Sequence, residues 1–131
     1  MIVLDASAAL EVLLRGPAAP AVESRMFAPG EALHVPHLID LEVAQVLRRH
    51  VLGGLMTPAS GVEALGIWRG LSLRRWGHEA LLARVWALRG TLTAYDAAYV
   101  ALAEALDAPL LTTDGKLARM AGHGARVEVV G

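Results

Sequence analysis

The sequence contains no cysteine, and this absence excludes several kinds of site. A chain without cysteine has no disulfide framework, no thiolate metal site and no thiol nucleophile. Aromatic residues are also few, at 5%, and lysine occurs once, so that 11 of the 12 basic residues are arginine. No uninterrupted apolar run reaches the length needed to span a bilayer. We therefore expect no membrane helix, and the composition is compatible with a reducing cytosol.

The length and composition indicate a compact globular protein. The chain has 131 residues, of which 55% are hydrophobic and 19% are charged, and this balance excludes disorder. A chain of this length buries about 65–70% of its unfolded surface. Residues 1–14 lack a basic n-region and include Asp5 and Glu11, so they do not predict a signal peptide. We expect residues 1–131 to form a single domain with a cytoplasmic location.

The net charge of −1 argues at first against a nucleic-acid partner. The distribution of charge matters more than its sum, because acids gathered in one pocket leave the remaining surface basic. If four of the 13 acids occupied one site, nine would remain against 12 bases. Such a surface permits an RNA partner without requiring one.

Residues 92–114 contain one complete helix and one complete strand, and an acid lies at an end of each. Thr93 and Asp96 form a Thr-x-x-Asp helix start, and apolar residues follow at helical spacing. Asp107 and Pro109 end the helix, because a residue that precedes proline is disfavoured in the α region. The pattern predicts a helix whose first turn carries Asp96.

The strand in this segment covers residues 109–113 and is too apolar to face water, so it is expected inside a sheet. Asp114 and Gly115 then end the strand and begin another helix. Open α/β sheets bind their ligands beyond the carboxyl ends of the strands. Asp114 is therefore at a position where such a sheet keeps its site.

Strands alternate with helices along the rest of the chain, which predicts an α/β fold with a central, mainly parallel sheet. The first strand ends at Asp5 and runs straight into a helix, as in the opening of a βαβ unit. Pro36 suits the first turn of a long helix, and Thr57 followed by Pro58 is a capped helix start. The predicted strands are residues 2–4, 32–35, 72–75, 109–113 and 125–130, and the predicted helices are residues 7–14, 20–27, 36–50, 58–68, 78–88, 93–106 and 115–121.

Three acids at the ends of these elements also have ordinary structural explanations. Asp5 suits the N-cap of the helix that follows it. Asp96 suits a capping box with Thr93, in which Asp takes the position of the usual Glu. Asp114 suits an Asp-Gly turn. Local sequence leaves the structural and functional interpretations of each acid open.

Glu42 lies on the long helix beginning at Pro36, at the edge of its apolar face. A solvated surface glutamate is the ordinary expectation for an isolated helical Glu. Its i+4 neighbour is Val46, however, so the common helix ion pair does not explain it. Asp40 is the rival acid on this helix and lies on a different arc.

Other common sites find little support. His34 and His37 lie on either side of Pro36, and the sequence has no H-E-x-x-H pattern, so a zinc site is not predicted. No glycine-rich phosphate loop follows the first strand, which argues against a dinucleotide or P-loop site. The tryptophans are expected in the core or at an interface rather than as stacking platforms, and they are Trp68, Trp76 and Trp86.

Four acids at the ends of successive elements resemble the PIN domain and, within it, the VapC-type toxins of toxin–antitoxin pairs. The resemblance covers nearly the whole chain and rests on the segments MIVLDASAALEVLL, PHLIDLEVAQVLRR, LTAYDAAYVALAEALDAPLLTTD and RVEVV. It implies a three-layer α/β/α fold with a mainly parallel sheet of about five strands. It also implies a metal-dependent endoribonuclease that acts as the toxin of such a pair.

The resemblance assigns roles to particular residues. The family's four acidic positions are matched by Asp5, Glu42, Asp96 and Asp114, and its small hydroxyl positions near the pocket are matched by Ser7 and Thr112. Three of these acids, Asp5, Asp96 and Asp114, would bind Mg²⁺ or Mn²⁺ directly or through water, since hard cations prefer carboxylate oxygen. Glu42 would be a further ligand or would orient the attacking water.

The resemblance also implies an RNA substrate, a cognate antitoxin protein and a homodimer, with no membrane partner. The main alternative is a non-catalytic PIN-like scaffold that binds RNA or protein. A receiver-type phosphoacceptor domain is a weaker alternative, because it would need paired acids early in the chain, whereas Asp5 stands alone. Some relatives carry another acid just after the last of the four, but Gly115 and Lys116 follow here, which leaves the number of ions open.

Overall fold

The computed structural model describes residues 1–120 and 122–131, and its described part contains a five-stranded parallel sheet with the order β3-β2-β1-β4-β5. The strands are β1 (Ile2–Leu4), β2 (Leu33–Pro36), β3 (Leu73–Trp76), β4 (Leu110–Thr112) and β5 (Val127–Val129). The flanking helices are α1 (Ala6–Leu13), α2 (Ala19–Met26), α3 (Ile39–Leu52), α4 (Pro58–Gly70), α5 (Leu82–Ala87), α6 (Ala94–Leu106) and α7 (Lys116–Arg119), with a 3₁₀ turn at Glu79–Leu81. This is the PIN-like α/β/α architecture that the resemblance implied.

Strand β1 lies at the centre of the sheet and pairs in parallel with β2 and β4. Its three residues are fully buried and all residues of its two neighbours are buried, which explains why these strands are mostly apolar. The strand order places the reversal of winding between β1 and β4. Connections leave these two strands in opposite directions, and the crevice at their carboxyl ends is where open α/β sheets bind ligands.

Helix α6 is the most buried helix and packs against β1, β2 and β4. All residues from 97 to 103 are buried, and four of them are alanine, which lets the helix backbone approach the sheet closely. The Thr93 hydroxyl caps the helix by accepting a hydrogen bond from the amide of Asp96 at 3.1 Å. At the other end Asp107 adopts a left-handed conformation with φ of 49°. The segment 92–114 therefore forms the predicted helix and strand.

Pro36 is the clearest correction, since it ends β2 and the following helix begins only at Ile39 and continues to Leu52. Successive backbone amides of a strand point to opposite neighbouring strands. The amide of His37 donates to the carbonyl of Trp76 on β3, so the backbone nitrogen of Pro36 points toward β1. Strand β1 has already ended at that level. A proline without an amide hydrogen is therefore tolerated at the end of β2.

Other boundaries differ by one or a few residues. The predicted helix at 78–88 is divided into the 3₁₀ turn and α5, and the predicted strand at 72–75 is β3, shifted by one residue. The last helix was predicted at 115–121; it ends at Arg119, and residue 121 lies outside the described part. The capped start at Thr57 is confirmed, because its hydroxyl oxygen accepts from the amide of Ser60 at 3.1 Å. In the described residues no helix has the length and apolarity of a membrane span.

The tryptophans have different environments. Trp68 is buried in the core, and its indole N–H donates to Asp40 at 2.8 Å. Trp76 is partly buried, and its N–H donates to Nδ1 of His34 at 3.0 Å. Trp86 is 68% exposed on α5, so it is not a core residue.

Candidate active site

A cavity of about 530 Å³ opens at the carboxyl edge of β1 and β4. Its walls come from the start of α1, from α3, from the first turn of α6 and from the turn after β4. The acids that line it are Asp5, Glu42, Asp96 and Asp114, and Ser7 lines it as well. Four carboxylates that are far apart in sequence thus face one cleft.

Asp5 is the most buried of the four, with 7% of its surface exposed. One carboxylate oxygen accepts from the amide of Ser7 at 2.7 Å, so Asp5 is the N-cap of α1. The other accepts from the hydroxyl of Thr112 at 2.7 Å. Burial raises the pKa of Asp5, although the bonds from Ser7 and Thr112 act in the opposite direction. The capping interpretation is correct, and the same side chain also lines the cleft.

The hydroxyl groups of Ser7 and Thr112 connect Asp5 to the segment that follows β4. Thr112 has a single hydroxyl hydrogen and donates it to Asp5, so Ser7 donates across the 3.0 Å contact to Thr112. The amide of Thr113 donates to the Ser7 hydroxyl at 3.0 Å, and the amide of Asp114 donates to the Thr112 hydroxyl at 2.9 Å. The two hydroxyls therefore hold the Asp5 side chain and the Asp114 backbone in one hydrogen-bonded network.

Glu42 is half-buried in the first turn of α3. One of its oxygens, Oε1, accepts a hydrogen bond of 2.5 Å from the hydroxyl of Tyr99 on α6. Burial raises the pKa of Glu42 and the Tyr99 bond opposes this, while repulsion from Asp5 and Asp96 adds to the rise. The ordinary expectation of a solvated surface glutamate does not hold.

Asp40, the rival acid on α3, has a different environment. Its carboxylate accepts two hydrogen bonds from Arg75, at 2.8 and 2.9 Å, and one from Trp68. The hydrogen bonds from the Arg75 guanidinium lower the pKa of Asp40. This acid joins α3 to β3 and α4, and its charge is compensated.

Asp96 and Asp114 line the cleft from the first turn of α6 and from the turn after β4. Burial raises the pKa of Asp96 and repulsion from Asp114 raises it further, against smaller effects from Lys116 and Thr93. Asp114 accepts from the amide of Lys116 at 3.0 Å, and the Lys116 ammonium lies 3.9 Å from its other oxygen. The turn at Asp114 is confirmed by its bond from Lys116, and the Thr93 half of the capping box is confirmed by the bond from the Asp96 amide to the Thr93 hydroxyl. Both acids nevertheless line the cleft.

The donor set has the chemistry of a site for a hard divalent cation. It consists of carboxylate and hydroxyl oxygens, and burial together with repulsion raises the pKa of three of the acids. A cation among them would relieve that repulsion. In residues 1–120 and 122–131 no three His, Cys, Asp or Glu side chains, as placed, lie close enough to hold one ion. The chemistry fits Mg²⁺ or Mn²⁺, and coordination by three carboxylates would require side-chain rotation.

Sequence reasoning did not assign a site role to Tyr99. It lies three residues after Asp96, so both fall on one face of α6, and that spacing could have indicated that its side chain approaches the cleft. Arg49, seven residues after Glu42 on α3, also lines the cavity and adds a positive charge at its edge.

Comparison with known proteins identifies the family. The PIN domain profile matches residues 2–123. Ribonuclease VapC12 from Mycobacterium tuberculosis is 44% identical over 130 residues, which cover 99% of each chain. Ribonuclease VapC9 from the same organism is 47% identical over 117 residues, covering 89% of this chain and 88% of the relative.

A solved structure supports the same fold. The crystal structure of VapBC2 from Rickettsia felis, bound to a DNA fragment from its promoter, contains a chain that superposes with a TM-score of 0.75. The identity is 15%, and the superposition covers all of both chains. The receiver-type alternative is therefore excluded. Together with the sequence relatives, these matches show that the chain belongs to the PIN-domain family and, within it, to the VapC ribonucleases.

Proposed function

We propose that the chain hydrolyses RNA phosphodiester bonds, as an endoribonuclease, at the cleft lined by Asp5, Glu42, Asp96 and Asp114. The observation that carries this proposal is the convergence of four carboxylates on one cleft, three of them with a raised pKa. Burying acids without a cationic partner costs stability, and perturbed acids in a cleft are typical of functional sites.

Ribonucleases of the VapC type are generally metal-dependent, and we propose Mg²⁺ or Mn²⁺ as the cofactor here. Asp5, Asp96 and Asp114 would hold the cation directly or through water, and Glu42 would be a further ligand or would orient the attacking water. When bound, the cation would supply an acidified water and stabilise charge on the attacked phosphate.

The decisive test measures cleavage of a generic RNA by variants at the four acids. Asp5→Asn, Asp96→Asn and Asp114→Asn should each abolish cleavage while the fold is retained, because Asn keeps the capping oxygen and loses the charge. Glu42→Gln should impair cleavage more than its matched control Asp40→Asn on the same helix. Normal cleavage by Asp96→Asn, or wild-type cleavage that EDTA leaves unchanged, would refute the mechanism.

We further propose that the chain is the toxin of a toxin–antitoxin pair, as the VapBC2 complex suggests for proteins of this fold. An arginine of the antitoxin would suit the cleft, because its planar guanidinium pairs with carboxylates in two parallel hydrogen bonds and keeps its charge. The cytoplasm is the proposed location. A purified complex with the cognate antitoxin that cleaves RNA at the full rate would contradict inhibition by this route.

A homodimer is also proposed. Several large apolar side chains remain more than half exposed, and such surfaces often mark interfaces. They include Leu41, Leu52, Val62 and Trp86. Light scattering that shows a monomer at micromolar concentration would contradict the dimer.

We also propose that residues 1–131 form one domain, because buried side chains from Ile2 to Leu117 join a single apolar core.

A further inference from the structure

Tyr99 connects the interior of the protein to the cleft. Its side chain is 2% exposed, and its hydroxyl donates a 2.5 Å hydrogen bond to Oε1 of Glu42, which is 57 positions away in sequence. The bond joins α6 to α3 at the wall of the cavity. Its acceptor is one of the four carboxylates of the proposed site rather than a backbone carbonyl.

A purely structural role for Tyr99 would not need this acceptor. Phenylalanine would fill the same space, whereas a buried phenol requires a hydrogen-bond partner. The phenol has a single hydroxyl hydrogen and donates it to Oε1, so the contact holds one oxygen of Glu42 in place.

The geometry of this contact assigns Tyr99 as a positioning residue for Glu42. By occupying Oε1, the hydroxyl sets the orientation of the carboxylate. It thereby leaves Oε2, which accepts no hydrogen bond in the described part of the chain, to contact a cation or a cation-bound water. Partners of this kind, which orient a metal ligand, are worth about 10–100-fold in metal affinity or activity. This inference rests on the proposed function of the cleft.

The test replaces Tyr99 by phenylalanine, which keeps the ring and removes one oxygen. The Mn²⁺ concentration that half-saturates the rise in melting temperature should increase about tenfold or more. In cleavage assays kcat should fall while KM for RNA stays constant, because Tyr99 is buried and does not contact RNA. Trp76→Phe is the control outside the cleft. It removes a hydrogen-bonding N–H from a partly buried aromatic ring that does not line the cavity, and its Mn²⁺ affinity should match the wild type.

A double substitution separates positioning from a general effect on packing. In a Glu42→Ala background, adding Tyr99→Phe should leave Mn²⁺ affinity and kcat unchanged, because the hydroxyl acts only through that carboxylate. A further loss equal to that in the wild-type background would overturn the inference. The inference would also be overturned if Tyr99→Phe kept wild-type Mn²⁺ affinity and kcat while Glu42→Ala lost them. Wild-type behaviour of Glu42→Ala would instead contradict the proposed role of Glu42 in the cleft.

A second variant keeps the inference testable if Tyr99→Phe fails to fold. Glu42→Asp retains the charge and the intact Tyr99, but its shorter side chain withdraws from the hydroxyl. It should show the same rise in the half-saturating Mn²⁺ concentration and the same fall in kcat. Wild-type Mn²⁺ affinity of Glu42→Asp would overturn the inference, because the carboxylate would then function without its tyrosine.

Discussion

Replacing Asp5 by asparagine should change the stability of the protein in opposite directions with and without a divalent cation. In EDTA at pH 7, Asp5→Asn should melt at a higher temperature than the wild type. In excess Mn²⁺ it should melt at a lower temperature. The reason is that the charge of Asp5, which is costly when buried alone, becomes favourable beside a cation.

The size of the effect follows from two opposing contributions. Removing the charge eliminates the cost of burying it, but the hydrogen bonds from Ser7 and Thr112 lose their charge assistance. Burial outweighs these bonds, since the pKa of Asp5 is raised. The net gain should be on the order of 1 kcal/mol in the free energy of unfolding, a typical effect of one substitution. This corresponds to about 3–5 °C in melting temperature for a domain of this size.

The cation contributes a larger effect in the opposite direction. Mn²⁺ at 100 times its dissociation constant stabilises a folded protein by about 2.7 kcal/mol, or about 10 °C here. The wild type should show this increase and Asp5→Asn should lose most of it. The network of Ser7 and Thr112 can accommodate asparagine, because each hydroxyl can reverse its donor and acceptor roles.

Thermal unfolding of both proteins in EDTA and across a Mn²⁺ titration provides the assay. Asp40→Asn is the matched control: Arg75 lowers the pKa of Asp40, so losing this charge should destabilise the protein in EDTA and leave the Mn²⁺ increment unchanged. A melting temperature of Asp5→Asn below that of the wild type in EDTA would refute the reasoning about burial. A full Mn²⁺ increment in Asp5→Asn would show that Asp5 does not contact the cation.

Two further predictions concern the same network. Burial raises the pKa of Asp5, Glu42 and Asp96, so the folded protein binds more protons than the unfolded chain. The stability that these three protonated acids contribute is fully present below about pH 4 and is lost as pH rises through the raised pKa values. In EDTA the advantage of Asp5→Asn should therefore grow from near zero at pH 4 to its full value at pH 7, and a difference independent of pH would contradict this. Thr112→Val keeps the side-chain shape but removes the hydroxyl that serves Asp5 and the Asp114 amide, so Mn²⁺ affinity in a melting titration should fall about 10–100-fold. Unchanged affinity would show that the hydroxyl is dispensable.

The positions of Asp5 and Asp114 could be predicted because they depend on strand ends that are visible in sequence. Apolar strands that end at an acid, in a chain of alternating strands and helices, predict carboxylates at one edge of a parallel sheet. The start of α6 was equally accessible, since Thr93 forms the predicted cap with Asp96. The error at Pro36 arose because a proline at a helix start and a proline at a strand end look alike locally. Only the sheet register, in which β1 ends before that level, distinguishes them.

The choice between Glu42 and Asp40 could not be made from local sequence. Both acids lie in the first turn of α3, and helical spacing places neither beside a compensating base. Tertiary contacts distinguish them, because Arg75 comes from β3 and Tyr99 from α6. Arg75 is 35 positions from Asp40, and Tyr99 is 57 positions from Glu42. The residue spacing within α3 therefore cannot reveal either partner.

The same contrast separates the acids whose pKa is shifted and gives a physical criterion for the site. Acids with a lowered pKa each accept hydrogen bonds from an arginine or the N-terminal ammonium, and they are Glu31, Asp40 and Glu104. Acids with a raised pKa are buried or half-buried beside other acids, and the hydrogen bonds described for them come from neutral donors. They are Asp5, Glu42 and Asp96. Folding therefore pairs Glu31, Asp40 and Glu104 with cationic groups, whereas the hydrogen bonds described for Asp5, Glu42 and Asp96 involve no cation. Because uncompensated buried charge costs free energy, the cleft gains stability when it takes up protons or binds a cation.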